Sequence, residues 1–173
     1  MEIVKILIIW FVTILPTYPF FNKLRVRTRI IFGQKIHPTC LLYANVRFKG
    51  DVSVGKFCNF NENILIASTK PGKIKIGDYV IMGPNVVLRN ANHIFEEFGK
   101  PIRYQGKDVR DIIIEDDVWI ASNVVVLPGT IIRKGSVIGA GAVVRGEIPE
   151  FSIAVGVPAK VIKKRNENNG QQT

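Results

Sequence analysis

The stretch Ile114-EDDVW-Ile120-ASNVV-Val126-LPGTI-Ile132-RKGSV-Ile138-GAGAV-Val144 places an aliphatic residue at every sixth position. Four residues after each of these sits a second small or aliphatic side chain: Val118, Val124, Thr130, Ser136, Ala142 and Ile148. Two inward positions per six residues match neither the helical period nor simple strand alternation. They match a chain that makes one short strand and one turn per hexapeptide, with three hexapeptides closing a triangular coil. The same phase runs upstream through Ile36, Leu42, Phe48, Val54, Phe60 and Ile66 and again through Ile76, Met82 and Leu88. Cys40, Val46, Val52, Cys58, Ile64, Val80 and Val86 fill the second inward position. Coils open at Ile36, Val54, Ile76, Ile114 and Ile132, with an insertion around Ser68 to Lys75. The expectation is an all-β parallel helix of about five triangular coils, roughly 25 Å tall at ~4.8 Å per coil.

The rest of the composition agrees with a single domain. The chain has 173 residues, 47% of them hydrophobic, and 24 Lys and Arg against 14 Asp and Glu give a net charge of +10. So apolar a chain is no disordered basic tail. Two cysteines are too few for a disulfide-stapled scaffold and have no zinc-ligand spacing around them. Cys40 and Cys58, one coil apart, are expected as buried free thiols. No metal site and no nucleic-acid module is expected.

Three segments are expected: 1–35, 36–165 and 166–173. In the first, the apolar run from Ile6 to Leu15 is followed by Pro16, Pro19 and a basic collar of Lys23, Arg25, Arg27 and Arg29. Ten apolar residues span about 15 Å as a helix, half of a ~30 Å hydrocarbon core. An interfacial anchor facing an anionic membrane surface fits better than a span, and would hold the domain on the cytoplasmic side. The alternative is a helix packed on its own domain or on a sister subunit. The polar 166–173 is expected to be a disordered tail.

The repeat breaks after Leu88 and resumes at Asp111 to Ile114, so loop 89–111 is extruded. A long loop in a compact solenoid is usually functional. It carries His93, one of two histidines; the other, His37, falls on an outward turn.

The repeat resembles that of the hexapeptide-repeat acetyltransferases, and His93-x-Phe95 with Pro101-Ile-x-x-Gln105-Gly106 is similar to the polysaccharide and lipopolysaccharide O-acetyltransferase type. The resemblance covers about Ile36 to Arg165 and implies a left-handed β-helix and a homotrimer with active sites between subunits. It implies acetyl-CoA as donor, a saccharide acceptor, no metal, and His93 as general base. Imidazole suits that task because its ordinary pKa lies near working pH. By the same resemblance Asn85 lies near the reacting centre, Ala121 and Ser122 offer backbone donors to the oxyanion, and Glu96 or Glu97 could orient the imidazole. Trp119, Gly139, Ala140, Gly156 and Pro158 would line the coenzyme A cleft, with Gly139 and Ala140 keeping its wall low. Lys160, Lys163 and Lys164, with Arg165 and Arg145, would hold its phosphates. The small-sugar acetyltransferases place a carboxylate before the coil at Ile76, whereas this chain reads Ile66-Ala-Ser-Thr-Lys70. That puts a small-sugar acceptor in doubt, and the resemblance implies a bacterial capsule or lipopolysaccharide sugar, free or lipid-linked, as the expected acceptor. N-acetylation of a nucleotide-linked amino sugar is the alternative enzyme and a non-catalytic β-helix scaffold the alternative class. A γ-class carbonic anhydrase would need three histidines for zinc.

Overall fold

The computed structural model describes residues 2–165; the tail expected over 166–173 lies outside the described residues. Three parallel sheets form the walls of a prism. The first face stacks Lys35–Ile36, Val52–Val54, Ile74–Ile76, Ile112–Ile114, Ile131–Ile132 and Glu147–Ile148. The second stacks Leu41–Leu42, Asn59–Phe60, Ile81–Met82, Trp119–Ile120, Val137–Ile138 and Ser152–Val155, and Lys160–Lys164 then adds antiparallel to the last of these. The third stacks Arg47–Lys49, Leu65–Ala67, Val87–Arg89, Val125–Val126 and Val143–Val144. Five coils are complete, and a sixth contributes its first two sides. That sixth coil is short: Ile132 pairs with Ile148, a step of 16 rather than 18 residues.

The hexapeptide phase is the core. Every aliphatic in the repeat is buried except Phe48, which is half-buried, and every second-position residue from Cys40 to Ile148 is buried. The turns explain why the coil closes. The third residue after the inward aliphatic takes a left-handed conformation at Asn45, Asn63, Asn85 and Asn123 on the corner between the second and third faces. Asn tolerates this region better than other residues with a Cβ, because its short side chain bonds locally. Here the amides also bond up the corner, Asn45 to Asn63 at 2.9 Å and Asn85 to Asn123 at 3.1 Å. Phe57 and Tyr79 occupy the matching position between the first and second faces and stack at 5.2 Å. Loops leave from the third corner.

Two helices close the lower end. Helix α1 spans Glu2–Ile14 and α2 spans Pro19–Ile31, with Pro19 at the first turn and Gly33 in a left-handed conformation past the end. α2 lays Val26 into the core. The expected basic collar is divided. Lys23 and Arg27 are exposed, but Arg25 and Arg29 are buried. Arg25 donates to Asn22 and to the backbone carbonyls of Leu15, Pro16 and Leu42; Arg29 donates to Thr13 Oγ1 at 3.0 Å and Val46 O at 2.7 Å and lies over the Phe48 ring. Burial, with Arg25 close by, pushes the Arg29 pKa down to about 10. These cations satisfy carbonyls that the helix ends and the first coil would otherwise leave open. No helix among the described residues is long and apolar enough to cross a membrane.

Candidate active site

Loop 89–111 folds as a hairpin. Ala91–His93 pairs antiparallel with Lys107–Val109, placing His93 directly opposite Lys107. Its root is fixed by Asn90, which is fully buried. The Asn90 side chain accepts from Thr69 N–H at 2.7 Å and donates to Thr69 O at 3.2 Å and Ser68 Oγ at 3.3 Å. Gly72 leaves room for it, since a Cβ there would stand 2.6 Å from Asn90 Nδ2. The exposed His93 lines an open cavity of about 280 Å³ together with Arg89, Ala91, Asn92 and Lys107. Neither acidic neighbour orients it: Glu97 pairs with Lys100 at 3.0 Å, and Glu96 accepts from Phe95 N–H.

The other expected residues gather elsewhere. Trp119 is half-exposed on the second face, in an outward column with Ile81, Val137 and Ile153. Ala121, Ser122, Gly139 and Ala140 follow on the corner that also carries Asn85, because Ala121 N–H bonds Ile138 O and Gly141 N–H bonds Ser122 O. Gly156 and Pro158 cover the top of that corner, where Val143 N–H bonds Gly156 O and Ala159 N–H bonds Val143 O. Gly139 has a packing reason of its own: a Cβ would lie 2.6 Å from Val155 Cγ1. The space above it is thus already held by this chain.

The basic residues separate. Lys160 pairs with Val155 near this corner, and Lys163 pairs with Ile153 in the Trp119 column. Both are exposed, without an ion-pair partner among the described residues. Lys164 instead donates to Glu150 O at 2.8 Å, and Arg165 pairs with Asp117 at 2.8 Å, both at the far corner of the second face. Arg145 follows Val143–Val144 at the corner where the loops leave. His93 and Asn85 therefore stand at opposite edges of the third face, with Val87–Arg89 between them. Cys40 and Cys58 are buried and free, bonded to Gly55 O and Gly77 O. The hydrogen bond with Cys40 and burial push the Cys58 thiol up. His37 is half-buried and bonded to Thr39 at 2.9 Å.

Arg89, Asn90 and Lys107 were not singled out by the sequence. Asn90 and Arg89 adjoin the point where the repeat breaks, which is a usable signal. Lys107 carries none, because its position depends on hairpin register.

The profile of the family described as bacterial transferase hexapeptide (six repeats) matches residues 111–146. The chain is 46% identical over 92 residues to a probable acetyltransferase of Mycobacterium tuberculosis, covering 53% of this chain and 31% of that protein. It therefore spans under a third of that relative's length. It is 39% identical over 144 residues to the Escherichia coli K12 protein named "Putative lipopolysaccharide biosynthesis O-acetyl transferase WbbJ", covering 79% of this chain and 72% of that one. A hexapeptide-repeat acetyltransferase of Vibrio cholerae, solved with acetyl-CoA, superposes with a TM-score of 0.67 at 28% identity, over 81% of this chain and 75% of the other. With the coil, the extruded hairpin and these likenesses together, the chain belongs to the hexapeptide-repeat acetyltransferase family.

Proposed function

We propose that the protein is an acetyl-CoA-dependent O-acetyltransferase that modifies a saccharide hydroxyl of a bacterial capsule or lipopolysaccharide, or of its lipid-linked precursor. The observation that carries this reading is His93, presented on a rooted hairpin in an open cavity. A ring nitrogen of His93 takes the proton of the acceptor hydroxyl as its oxygen attacks the thioester carbonyl. The tetrahedral oxyanion collapses with loss of the coenzyme A thiolate, which receives the proton. Such general-base assistance contributes ~10²–10⁴ in rate. The donor would lie along the second face and its corner, past Trp119, Ala121, Ser122 and Ala140, with Lys160 and Lys163 as the free cations for its phosphates.

The working unit is proposed to be a homotrimer. His93 and Asn85 occupy opposite edges of one face, and a site shared between protomers closes that gap. Leu65, Val87, Val125 and Val143 give the third face a half-buried apolar outer column, and Ile81, Trp119, Val137 and Ile153 give the second face one that is exposed at Ile81 and Trp119. Such columns fit covered rather than wet surfaces. The proposed location is the cytoplasmic face of a membrane. Ile3, Val4, Ile6, Leu7, Ile8, Trp10, Phe11 and Ile14 of α1 are all exposed, beside the exposed Lys23 and Arg27. An exposed apolar helix together with exposed cations on α2 suits an anionic lipid interface.

The test is thermal unfolding against an acetyl-CoA titration. Binding to the native state raises stability by about 2.7 kcal/mol at a hundredfold excess over Kd. The expected shift rises with the logarithm of acetyl-CoA concentration above Kd and weakens in Lys160→Ala/Lys163→Ala, while His93→Ala keeps the shift and loses ~10²–10⁴ of acetyl transfer. A folded protein with no shift would overturn the donor assignment, and unchanged transfer by His93→Ala would overturn the base.

A further inference from the structure

The cavity around His93 is lined by two cations, Arg89 and Lys107, beside the neutral Ala91 and Asn92. Arg89 approaches it from the last strand of the coil and Lys107 from the returning hairpin strand, directly across from His93. Side chains opposite one another on an antiparallel pair share a face, with Cβ atoms about 5 Å apart. No carboxylate lines the cavity. The nearest acidic residue in the hairpin register, Asp108, lies opposite Asn92 and is taken by Arg110 at 2.8 Å. Lys100, further along the loop, is likewise taken by Glu97. Arg89 and Lys107 have no ion-pair partner among the described residues.

Two exposed cations without carboxylate partners give this side of the cavity a positive field, and a negative group on the acceptor would complement it. Buried Asn90 fixes the backbone between Arg89 and Ala91, so the first cation stands on a held strand rather than on a free loop.

We propose that the acceptor carries an anionic group, a carboxylate or a phosphate, close to the hydroxyl that is acetylated, and that Arg89 and Lys107 bind this group. The proposal rests on the reading of His93 as the base of the transfer and adds the class of acceptor to it. A planar guanidinium accepts either anion through paired hydrogen bonds, and the ammonium of Lys107 adds a mobile point charge. An acidic sugar would present the carboxylate, and a sugar linked through a phosphate ester would present the phosphate.

The experiment follows the imidazole resonances of the full chain at low salt. With two histidines in the sequence, His37 of the first coil serves as an internal reference. Methyl glucuronide, glucose 1-phosphate and neutral methyl glucoside are titrated separately. The expected result is a saturable movement of the His93 resonance with an anionic probe and none with methyl glucoside. Apparent affinity should weaken about tenfold in each of Arg89→Gln and Lys107→Gln. The tighter anionic probe identifies carboxylate or phosphate as the source. An unchanged His37 resonance in the variants shows that the coil is intact. Equal movement with the neutral sugar, no movement with either anion, or undiminished binding in both variants would overturn the proposal. None of these readouts needs the donor: if acetyl-CoA fails to bind while the anion still moves His93, the transfer reading falls and the anion site stands.

Discussion

Gly135 holds a left-handed φ of +69° beneath the ring of Phe151, and a Cβ added there would stand 2.4 Å from Phe151 Cδ1. Gly135→Ala therefore carries two penalties, ~1–2 kcal/mol for the backbone region and a further cost for displacing the ring. Chemical denaturation should show the loss, and Phe151→Ala in the same chain should recover the steric part but not the backbone part. If the double variant recovers nothing, the ring contact is irrelevant. At this scale the sequence was legible wherever one residue type answers one geometric demand. The inward aliphatics and the Asn corner belong there, since burial and a left-handed φ each favour a short menu. Arg25 and Arg29 did not. A charge run normally faces water, and only the docking of α2 across the first coil turns two of its four cations toward backbone carbonyls. Gly139 likewise reads as clearance for a ligand until Val155 is seen occupying that clearance.

Among the elements, the first face is laced from outside. Arg133 bonds Glu115 at 2.9 Å and Glu147 at 2.8 Å, joining three successive coils. The Arg133 guanidinium and the Lys134 N–H hold the Glu115 pKa below its ordinary 4.5. A carboxylate whose folded pKa is depressed stabilises fully above its unfolded pKa, and that contribution is lost as the pH falls through the folded value. Arg133→Gln should therefore lower the melting temperature at pH 7 and have progressively less effect as the pH drops below 4.5. Because the pair is exposed, the loss at pH 7 should be small and should shrink with added salt. A deficit that stayed constant across the acid range would remove Glu115 from the account. The periodicity announces strands on this face but not this bracing, which depends on which outward positions line up. The hairpin is a parallel case: the break in the period marks where it leaves, while the opposition of His93 and Lys107 comes only from its register.

For the whole molecule, α1 is the element whose surroundings matter most. Among its described side chains, Val12 and Thr13 are buried and Lys5 and Ile9 half-buried, and its exposed arc carries large apolar side chains. Leu7→Asp/Phe11→Asp should abolish flotation with anionic vesicles while leaving molecular mass in solution and acetyl-CoA binding unchanged. If instead the mass falls and flotation persists, α1 is a contact between copies of the chain and the membrane assignment is wrong. Sequence alone supplied the length and greasiness of this segment, and both outcomes were open to it. The fold narrows the matter by showing which residues α2 and the first coil leave uncovered.

The two ends of the stack differ from its middle. Below, α2 lies over the first coil; above, the sixth coil shortens its step and the reversed strand Lys160–Lys164 pairs with the last parallel rung. An open rung at either end can template another chain, and these devices cover the first coil and the last parallel rung of the second face. The molecule is thus a ladder with finished ends and interchangeable rungs. Its height is a free variable: duplicating the eighteen-residue turn from Ile114 to Ile131 should lengthen the prism by about 4.8 Å while leaving both terminations as they are.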